Sequence, residues 1–311
     1  MFRLHLASRA ATGVALVVTL ASGPFAYLAV ERAAAVAAGP TEAPTAVYDL
    51  TSSPSLLAPT SDDALRVTAI GHLEGATRIA VLVPGVAVRF AEFDEDGTRS
   101  LQAHARALFE AMGGTSGERV AVVAWLGYVT PANTVEALGA GPMREGAANL
   151  AAFQHELDRT RPEAHVTWVC HSYGSLVCAS ALVQADPDTV VIVGSPGMMV
   201  GNAGDLATTA RIFALRGGVD PIRLSAALDL FGGGFGADPA STGFGAELLA
   251  TGPGTGHSDY FRRGSTQLAE IAAAVLADAG PPAGRTRGRP AGQAVVARPA
   301  GLGLHDLRGA R

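Results

Sequence analysis

The stretch AHVTWVCHSYGS, at residues 164–175, constrains the fold more than any other part of the chain. A short run rich in β-branched and aromatic residues leads into a serine flanked by small residues, and a helical pattern follows. Small residues two before and two after a serine let a strand and a helix pass close together at a sharp turn. The pattern therefore predicts a strand, a tight turn and a helix, with Ser172 at the apex. Cys170 occupies the first small position, where glycine is usual, and Gly174 occupies the second.

The N-terminal segment has the layout of an export signal. Two arginines precede a run from Ala10 to Val30 without a charged residue, and small residues follow at 36–38. This layout predicts a cleaved signal peptide over residues 1–38. The apolar run is also long enough to cross a bilayer, so an uncleaved anchor that would associate with a membrane is the main alternative, ahead of a buried helix of the fold. The signal peptide and the anchor both place the rest of the protein outside the cytoplasm.

Composition divides the remainder of the chain into three parts. Residues 39–63, rich in Pro, Thr, Ser and Ala, predict a linker, and residues 280–311, rich in Pro, Gly and Arg, predict a disordered tail. Residues 64–279 carry the strand and helix patterns and predict one globular domain. The chain has 311 residues, of which 48% are hydrophobic, and a formal net charge of −5. It can therefore bury a large core, and no nucleic-acid partner is expected.

Apolar runs alternate with helical patterns through the globular domain. The runs at 65–70, 77–83, 119–126, 189–193 and 212–215, and the run that ends near Cys170, predict strands; the patterns at 99–112, 143–159, 175–184 and 259–277 predict helices. The first two strands are predicted to form a hairpin, and residues 244–250 are a candidate last strand. This alternation predicts an α/β fold whose mostly parallel sheet is covered by helices on both faces.

Ser172 becomes a nucleophile only if a base takes its proton, so it needs a histidine and a carboxylate. On an α/β sheet with such a turn, the three residues follow in the chain order serine, acid, histidine, each after a later strand. Asp220 comes just after the strand at 212–215, and His257 precedes the last predicted helix. The catalytic candidates are therefore Ser172, Asp220 and His257.

Neighbouring residues supply the remaining candidates. His171 adjoins the serine and is interpreted as a supporting residue, while Asp205 and Asp229 stay open as alternatives for the acid. An oxyanion hole needs two backbone donors aimed at the developing negative charge. The candidates are the N–H of Tyr173, directly after the serine, and the N–H of Val86, in the loop after an early strand.

No metal or cofactor is expected. The histidines are scattered, and neither a His-Glu-x-x-His motif nor a phosphate-binding glycine loop after a strand occurs. Cys170 and Cys178 are too few for a disulfide framework. With one at a strand end and the other on the second turn of the next helix, their Cα atoms should exceed the limit of about 7 Å for a bridge. Two buried free thiols are predicted.

Several motifs together resemble an actinobacterial family of α/β hydrolases that is defined as a domain of unknown function. They are VLVPGV at 81–86, AWLGY at 124–128, CHSYGS at 170–175, VGSPG at 193–197, LRGGVDPI at 215–222, FGADP at 235–239, GFGAELL at 243–249 and GHSDYF at 256–261. The resemblance covers about residues 65–278. It implies the α/β-hydrolase fold, with the triad on Ser172, Asp220 and His257.

The expected protein is an exported serine hydrolase whose catalytic domain, residues 64–279, has no large cap, because no long insertion follows the strand at 189–193. It would cleave a small-molecule or lipid ester through an acyl-enzyme, in an open site bordered by loops at 129–142 and 231–256. The apolar residues expected beside that site are Phe231, Phe235 and Phe244.

Three other functions stay open at this point. The same triad could cleave a peptide or amide, or transfer an acyl group to an acceptor in the cell envelope. The scaffold could also serve a non-catalytic envelope protein, since fold does not imply function.

Overall fold

A computed structural model of the protein describes residues 47–50, 65–89, 92–93, 100–224 and 234–277. The chain divides into two compact units, residues 1–44 and 45–311, and every described residue belongs to the second. The expected signal segment at 1–38, the tail at 280–311, Asp229 and Phe231 lie outside the described residues.

Strands and helices alternate along the described ranges. The strands are β1 (Val47–Asp49), β2 (Arg66–Ile70), β3 (Arg78–Val83), β4 (Val120–Leu126), β5 (His165–His171), β6 (Thr189–Val193), β7 (Arg211–Leu215) and β8 (Glu247–Leu248). The α-helices are α1 (Leu101–Ala111), α2 (Ala140–Thr160), α3 (Gly174–Ala181) and α4 (Thr266–Leu276). None of these helices is long and apolar enough to span a membrane.

The described strands form one sheet in the order β1-β2-β4-β3-β5-β6-β7-β8. All neighbours from β4 to β8 are parallel, so the predicted parallel sheet is confirmed. The hairpin predicted between β2 and β3 is wrong, because β2 instead pairs antiparallel with β4. Strand β3 takes a central place between β4 and β5, and β2 extends the sheet on the far side of β4.

The outer edge of β2 is covered by β1, which lies inside the segment predicted as a linker. Val47 pairs with Ile70 and Asp49 with Thr68, and the N–H of Leu50 donates to the carbonyl of Val67 at 2.8 Å. A strand of three residues is too short to show a periodicity, so composition alone missed it. Its pairing protects a sheet edge that would otherwise be open.

Two hydrophobic cores lie on opposite faces of the sheet. Helices α2 and α3 cover one face, where Trp125 and Trp168 are fully buried, and helices α1 and α4 cover the other, where Leu108 is fully buried. Successive strand residues serve the two cores in turn: Val81 packs in the first and Leu82 in the second. The predicted helix-covered sheet is thus confirmed.

Two expectations about the C-terminal part need correction. Helix α4 begins at Thr266 rather than near 259, because Ser265 caps it by accepting a hydrogen bond from the N–H of Leu268 at 3.3 Å. Leu276 is exposed at the end of that helix. The candidate strand at 244–250 is reduced to the two residues of β8. The connection from β6 to β7, residues 194–210, holds only a 3-10 turn at Ala203–Asp205.

Cys170 and Cys178 form a disulfide that joins the end of β5 to α3, so the prediction of two free thiols is wrong. Their Cα atoms lie 6.4 Å apart, inside the range that a bridge can span. The distance is short because α3 begins at Gly174, directly after the turn, and folds back along β5. Both cysteines are fully buried.

Opening this disulfide should lower stability without changing the residues of the turn itself. A bridge across so short a loop contributes about 2.5 kcal/mol by restricting the unfolded chain. We expect Cys178→Ala, measured by urea unfolding under oxidising conditions, to lose about that amount from the free energy of unfolding. Wild-type protein kept in reductant is the matched control and should unfold like the variant. Equal stability of the variant and the oxidised wild type would contradict the bridge.

Candidate active site

The turn after β5 places Ser172 in a backbone conformation that few residues adopt. Its φ angle is +54°, in the left-handed region, and α3 begins two residues later. The close packing requires glycine at 174, because a Cβ there would lie 2.5 Å from the Pro84 carbonyl oxygen and 2.6 Å from that of Val83. This is the geometry of a nucleophile elbow, a strained turn between a strand and a helix that exposes the serine side chain at the edge of the sheet.

The loop after β3 lies directly against this turn. A Cβ on Gly85 would stand 2.7 Å from the Cβ of Ser172, so no larger residue fits there. The closeness follows from the sheet order, because the chain passes from β3 to β4 on one side and then to β5 on the other. Such a reversal opens a crevice at the carboxyl ends of the two central strands, which is where ligands bind in α/β sheets.

The structure brings together Ser172, Asp220 and His257, the three residues predicted for a triad. His257 Nε2 lies 2.9 Å from Ser172 Oγ, and His257 Nδ1 lies 3.0 Å and 2.9 Å from the two carboxylate oxygens of Asp220. Because an ionised carboxylate can only accept, Nδ1 carries the imidazole hydrogen. The lone pair of Nε2 therefore faces the serine hydroxyl and can take its proton.

The carboxylate of Asp220 is fully buried but well supplied with donors. It accepts the N–H of Ile222 at 2.8 Å and the hydroxyl of Tyr260 at 2.5 Å, in addition to His257 Nδ1. Burial alone would raise the pKa of this carboxyl, but the hydrogen bonds from His257, Tyr260 and Ile222 outweigh it and bring the pKa below its usual value. Asp220 is thus held ionised behind the imidazole.

Tyr260 is a residue of this site that sequence reasoning missed. Its buried hydroxyl donates to Asp220 and accepts the N–H of Gly217 at 2.9 Å, which ties the carboxylate to the turn after β7. Burial, reinforced by the Asp220 charge, raises the pKa of Tyr260, so the phenol remains a donor. The available signal was its place three residues after His257, inside the quoted motif GHSDYF.

His171, interpreted from the sequence as a supporting residue, contacts His257. Its Nε2 donates to the backbone carbonyl of His257 at 3.1 Å, and the two rings lie 5.0 Å apart. Burial lowers the pKa of His171 to about 3, with the neighbouring imidazoles of His257 and His104 adding to the effect. His171 is therefore uncharged at neutral pH and acts as a hydrogen-bond donor.

The two oxyanion candidates belong to the two segments that meet at Ser172. Tyr173 follows it directly at the N-terminus of α3, and Val86 follows Gly85 in the loop after β3. The next amide of that loop, Ala87, already donates to the carbonyl of Pro131 at 2.8 Å. The loop is also held by Tyr128, whose hydroxyl donates to the carbonyl of Pro84 at 2.7 Å.

Buried serines brace the turn from below. The hydroxyl of Ser175 donates to the carbonyl of Ser172 at 2.6 Å and lies 2.6 Å from Ser195 Oγ. Ser195 in turn accepts the N–H of Gly197 at 2.9 Å. This hydrogen-bonded chain connects the turn after β5 to the turn after β6 and supports the unusual backbone of Ser172.

A cavity of about 180 Å³ opens beside Ser172 and His257. Its other lining residues are Leu82, Pro84, Gly85, Val86, Val88, Leu101, His104, His171, Ser258 and Phe261. The phenylalanine at the site is therefore Phe261, and the expectation for Phe235 and Phe244 is wrong: neither lines the cavity, and Phe244 is buried in the core of α2 and α3.

The alternatives and absences concern other parts of the described chain. Asp205, one alternative for the acid, lies on an exposed 3-10 turn and accepts a hydrogen bond from Asn202. Within the described ranges, no three His, Cys, Asp or Glu side chains are grouped so that they could hold a metal ion.

Comparison with known proteins gives a family match and relatives without a described function. A family model described as Alpha/beta hydrolase matches residues 60–230. An uncharacterized protein of Mycobacterium tuberculosis is 32% identical over 160 residues, which are 49% of this chain and 60% of that protein. A second uncharacterized protein of that species is 31% identical over 244 residues, 66% of this chain and 36% of that protein. The chain thus spans only part of the length of both relatives.

The solved structures that this chain resembles are distant in sequence. An α/β serine hydrolase without a lid from Xanthomonas campestris is 15% identical, with a TM-score of 0.42. The match covers 70% of this chain and 94% of that protein's chain. Carboxyl esterase 2 from Tuber melanosporum is also 15% identical, with a TM-score of 0.43. The match covers 75% of this chain and 86% of that protein's chain.

Replacing Tyr260 by Phe should weaken the fold in a pH-dependent way. Because the pKa of Asp220 is lowered in the fold, this carboxylate contributes stability above its unfolded pKa of about 3.9, and the contribution is lost as pH falls. We expect Tyr260→Phe to lose about 1.5–3 kcal/mol in urea unfolding at pH 7, because its hydrogen bond is to a charged group, and less at pH 3.

Tyr128→Phe is the matched control for this prediction. It removes a buried tyrosine hydroxyl that donates to the neutral carbonyl of Pro84, so its cost should be the same at both pH values. A loss for Tyr260→Phe that is equally independent of pH would contradict the proposed link to Asp220.

Proposed function

Since this chain belongs to the α/β-hydrolase family, we propose that it hydrolyses carboxylic esters through an acyl-enzyme formed on Ser172. The observation that carries the proposal is the continuous hydrogen-bonded series from Ser172 Oγ through His257 to Asp220, with separations of 2.9–3.0 Å. An activated serine with a base and an orienting acid is the arrangement that acyl transfer requires.

In the first half of the proposed reaction, Ser172 Oγ attacks the ester carbonyl while its proton passes to His257 Nε2. The oxygen of the tetrahedral intermediate accepts hydrogen bonds from the N–H groups of Tyr173 and Val86. The carbon–oxygen bond to the alcohol then breaks, and the proton on Nε2 passes to the departing alcohol. Asp220 stays ionised and stabilises the imidazolium while it exists.

In the second half, a water molecule attacks the acyl-enzyme. His257 Nε2 takes a proton from this water, the bond between the acyl carbon and Ser172 Oγ breaks, and the proton returns to the serine. The side chain of His257 is 30% exposed whereas that of Asp220 is fully buried, so water can reach the base while the acid stays desolvated. The products are a carboxylic acid and an alcohol.

Ester cleavage is preferred over peptide cleavage or acyl transfer because of the walls of the cavity. Among its described lining residues there is no Asp, Glu, Lys or Arg that would bind a charged peptide group or acceptor. A small, uncharged recess beside the serine suits the acyl part of a simple ester.

Substitutions at the triad test the proposal. We expect Ser172→Ala and Asp220→Asn to lower the turnover of p-nitrophenyl esters by about 10⁴. Asp205→Asn is the matched control, since it removes the same charge from an exposed turn and should keep wild-type turnover. A fluorophosphonate probe, which labels an activated serine, distinguishes an enzyme from a non-catalytic protein. An unlabelled wild type, or a Ser172→Ala variant labelled as strongly as the wild type, would overturn the proposal. Faster cleavage of peptide anilides than of esters would instead favour the amidase.

We also propose that the protein is exported. The segment at 1–38 has the composition of a signal peptide or an anchor. The buried disulfide between Cys170 and Cys178 supports this location, because disulfides form and persist in oxidising compartments outside the cytoplasm.

The location can be tested by mass measurement on protein recovered from outside the cytoplasm. We expect the chain to lack a segment ending near residue 38 and to resist thiol alkylation until it is denatured and reduced. Recovery in the membrane fraction with residues 1–39 intact would reject the cleaved signal in favour of the anchor. Recovery in the cytoplasm with free thiols would reject export.

A further inference from the structure

Apolar side chains form part of the wall of the cavity beside Ser172. Leu82, Val88, Leu101 and Phe261 come from β3, the loop after it, the start of α1 and the turn after His257. Four separate parts of the chain therefore converge on one recess that opens onto the serine.

Two imidazoles, those of His104 and His171, also line this recess. His171 is buried and donates to the carbonyl of His257 at 3.1 Å, and its pKa of about 3 keeps it neutral above pH 4. The ring of His104 stacks on that of Phe261, with centroids 4.9 Å apart and planes at 24°. The imidazole of His171 is thus uncharged at neutral pH, and that of His104 packs against an apolar ring.

The floor of the recess is part of the protein core. Leu82, Leu101 and Phe261 are 1%, 4% and 4% exposed and belong to the core cluster between the sheet and helices α1 and α4. Protein cores are packed as densely as organic crystals, so these side chains cannot move apart without opening a void. This part of the wall is therefore set by the packing of the core.

The volume limits what can enter. Sites for drug-sized ligands measure about 300–1,000 Å³, and this cavity measures about 180 Å³. This volume is below that range, so the recess suits a short acyl chain better than a fatty-acid tail.

We propose that this recess is the acyl site and that it selects short, uncharged acyl groups, from acetyl to hexanoyl. The inference rests on the proposed ester hydrolysis and names its substrate class. During the reaction the acyl group stays bonded to Ser172 while the alcohol departs and water enters. The apolar recess therefore suits the acyl group, and the solvent-exposed part of His257 suits the alcohol.

The acyl preference is tested with p-nitrophenyl acetate, butanoate, hexanoate, octanoate and dodecanoate and the wild-type protein. We expect kcat/KM to be highest between acetate and hexanoate and at least about tenfold lower for dodecanoate. p-Nitrophenyl hydrogen succinate has an acyl chain as long as that of the butanoate but carries a charge, and should react at least about tenfold more slowly than the butanoate.

Variants of the recess make the test specific. Leu101→Ala should move the maximum toward longer chains, and Val88→Phe, which fills the recess, should move it to acetate. Leu108→Ala is the control, because Leu108 is fully buried on the same helix without lining the recess, and it should leave the maximum in place.

The outcomes separate this inference from the proposed function. A wild-type maximum at dodecanoate, equal rates for the butanoate and the succinate, or chain-length profiles that Leu101→Ala and Val88→Phe leave unchanged would overturn the acyl site while ester hydrolysis stands. A shift in Leu108→Ala as large as that in Leu101→Ala would also overturn it. Failure of every ester together with an unlabelled Ser172 would overturn the proposed function itself.

Discussion

The approach of the loop after β3 to the turn after β5 is the contact on which the rest of the site depends. The Cβ that Gly85 lacks would stand 2.7 Å from the Cβ of Ser172, and the one that Gly174 lacks would stand 2.5 Å from the carbonyl oxygen of Pro84. Both glycines are needed so that the serine, with a φ of +54°, can lie this close to the loop after β3. Such a backbone costs about 1–3 kcal/mol and persists only where its surroundings hold it.

Several interactions hold this turn in place. The disulfide from Cys170 to Cys178 links the strand before it to the helix after it, and the Ser175 hydroxyl binds the carbonyl of Ser172 at 2.6 Å. Tyr128 fixes the facing loop through the carbonyl of Pro84. Since all of these groups are buried, the serine is placed by the core of the protein and not by mobile surface loops.

The acid and the base lie in different surroundings, which suits their proposed roles. Asp220 is fully buried and accepts hydrogen bonds from His257, Ile222 and Tyr260, which keep it ionised. His257 is partly exposed, so its free nitrogen can exchange protons with an alcohol or with water. In the proposed roles, the buried carboxylate orients the imidazole, and the partly exposed imidazole transfers the protons.

Much of this arrangement could be predicted from local patterns. Local sequence patterns predicted the apolar strands and the turn at Ser172. They also placed Asp220 and His257 after later strands, and the structure brings these two residues together with Ser172. Features that depend on tertiary approach could not be predicted. Predicting the Cys170–Cys178 bridge requires the angle at which α3 leaves the turn. Predicting the sheet order requires more than the local pattern, because β2 and β3 have the same apolar pattern although only β3 is central.

Tyr260 shows the same limit at the site itself. Its hydrogen bond to Asp220 spans forty positions of the chain and obeys no spacing rule. Phe261, the next residue, replaces the phenylalanines expected at the site, because the turns before α4 bring it beside Ser172 while Phe244 enters the core. Chain order located the reactive groups, and only packing located the groups that surround them.

The central claim is that Ser172 carries the acyl group between the two halves of the reaction. Wild-type protein mixed rapidly with p-nitrophenyl acetate, quenched in acid and digested can be analysed by mass spectrometry for the position of a transferred acetyl group. We expect one acetyl group, located on Ser172 in the peptide that contains CHSYGS, with release of p-nitrophenol in a burst of about one equivalent. Hydrolysis of the ester without any acetylated Ser172, or with the acetyl group on another residue, would contradict the claim.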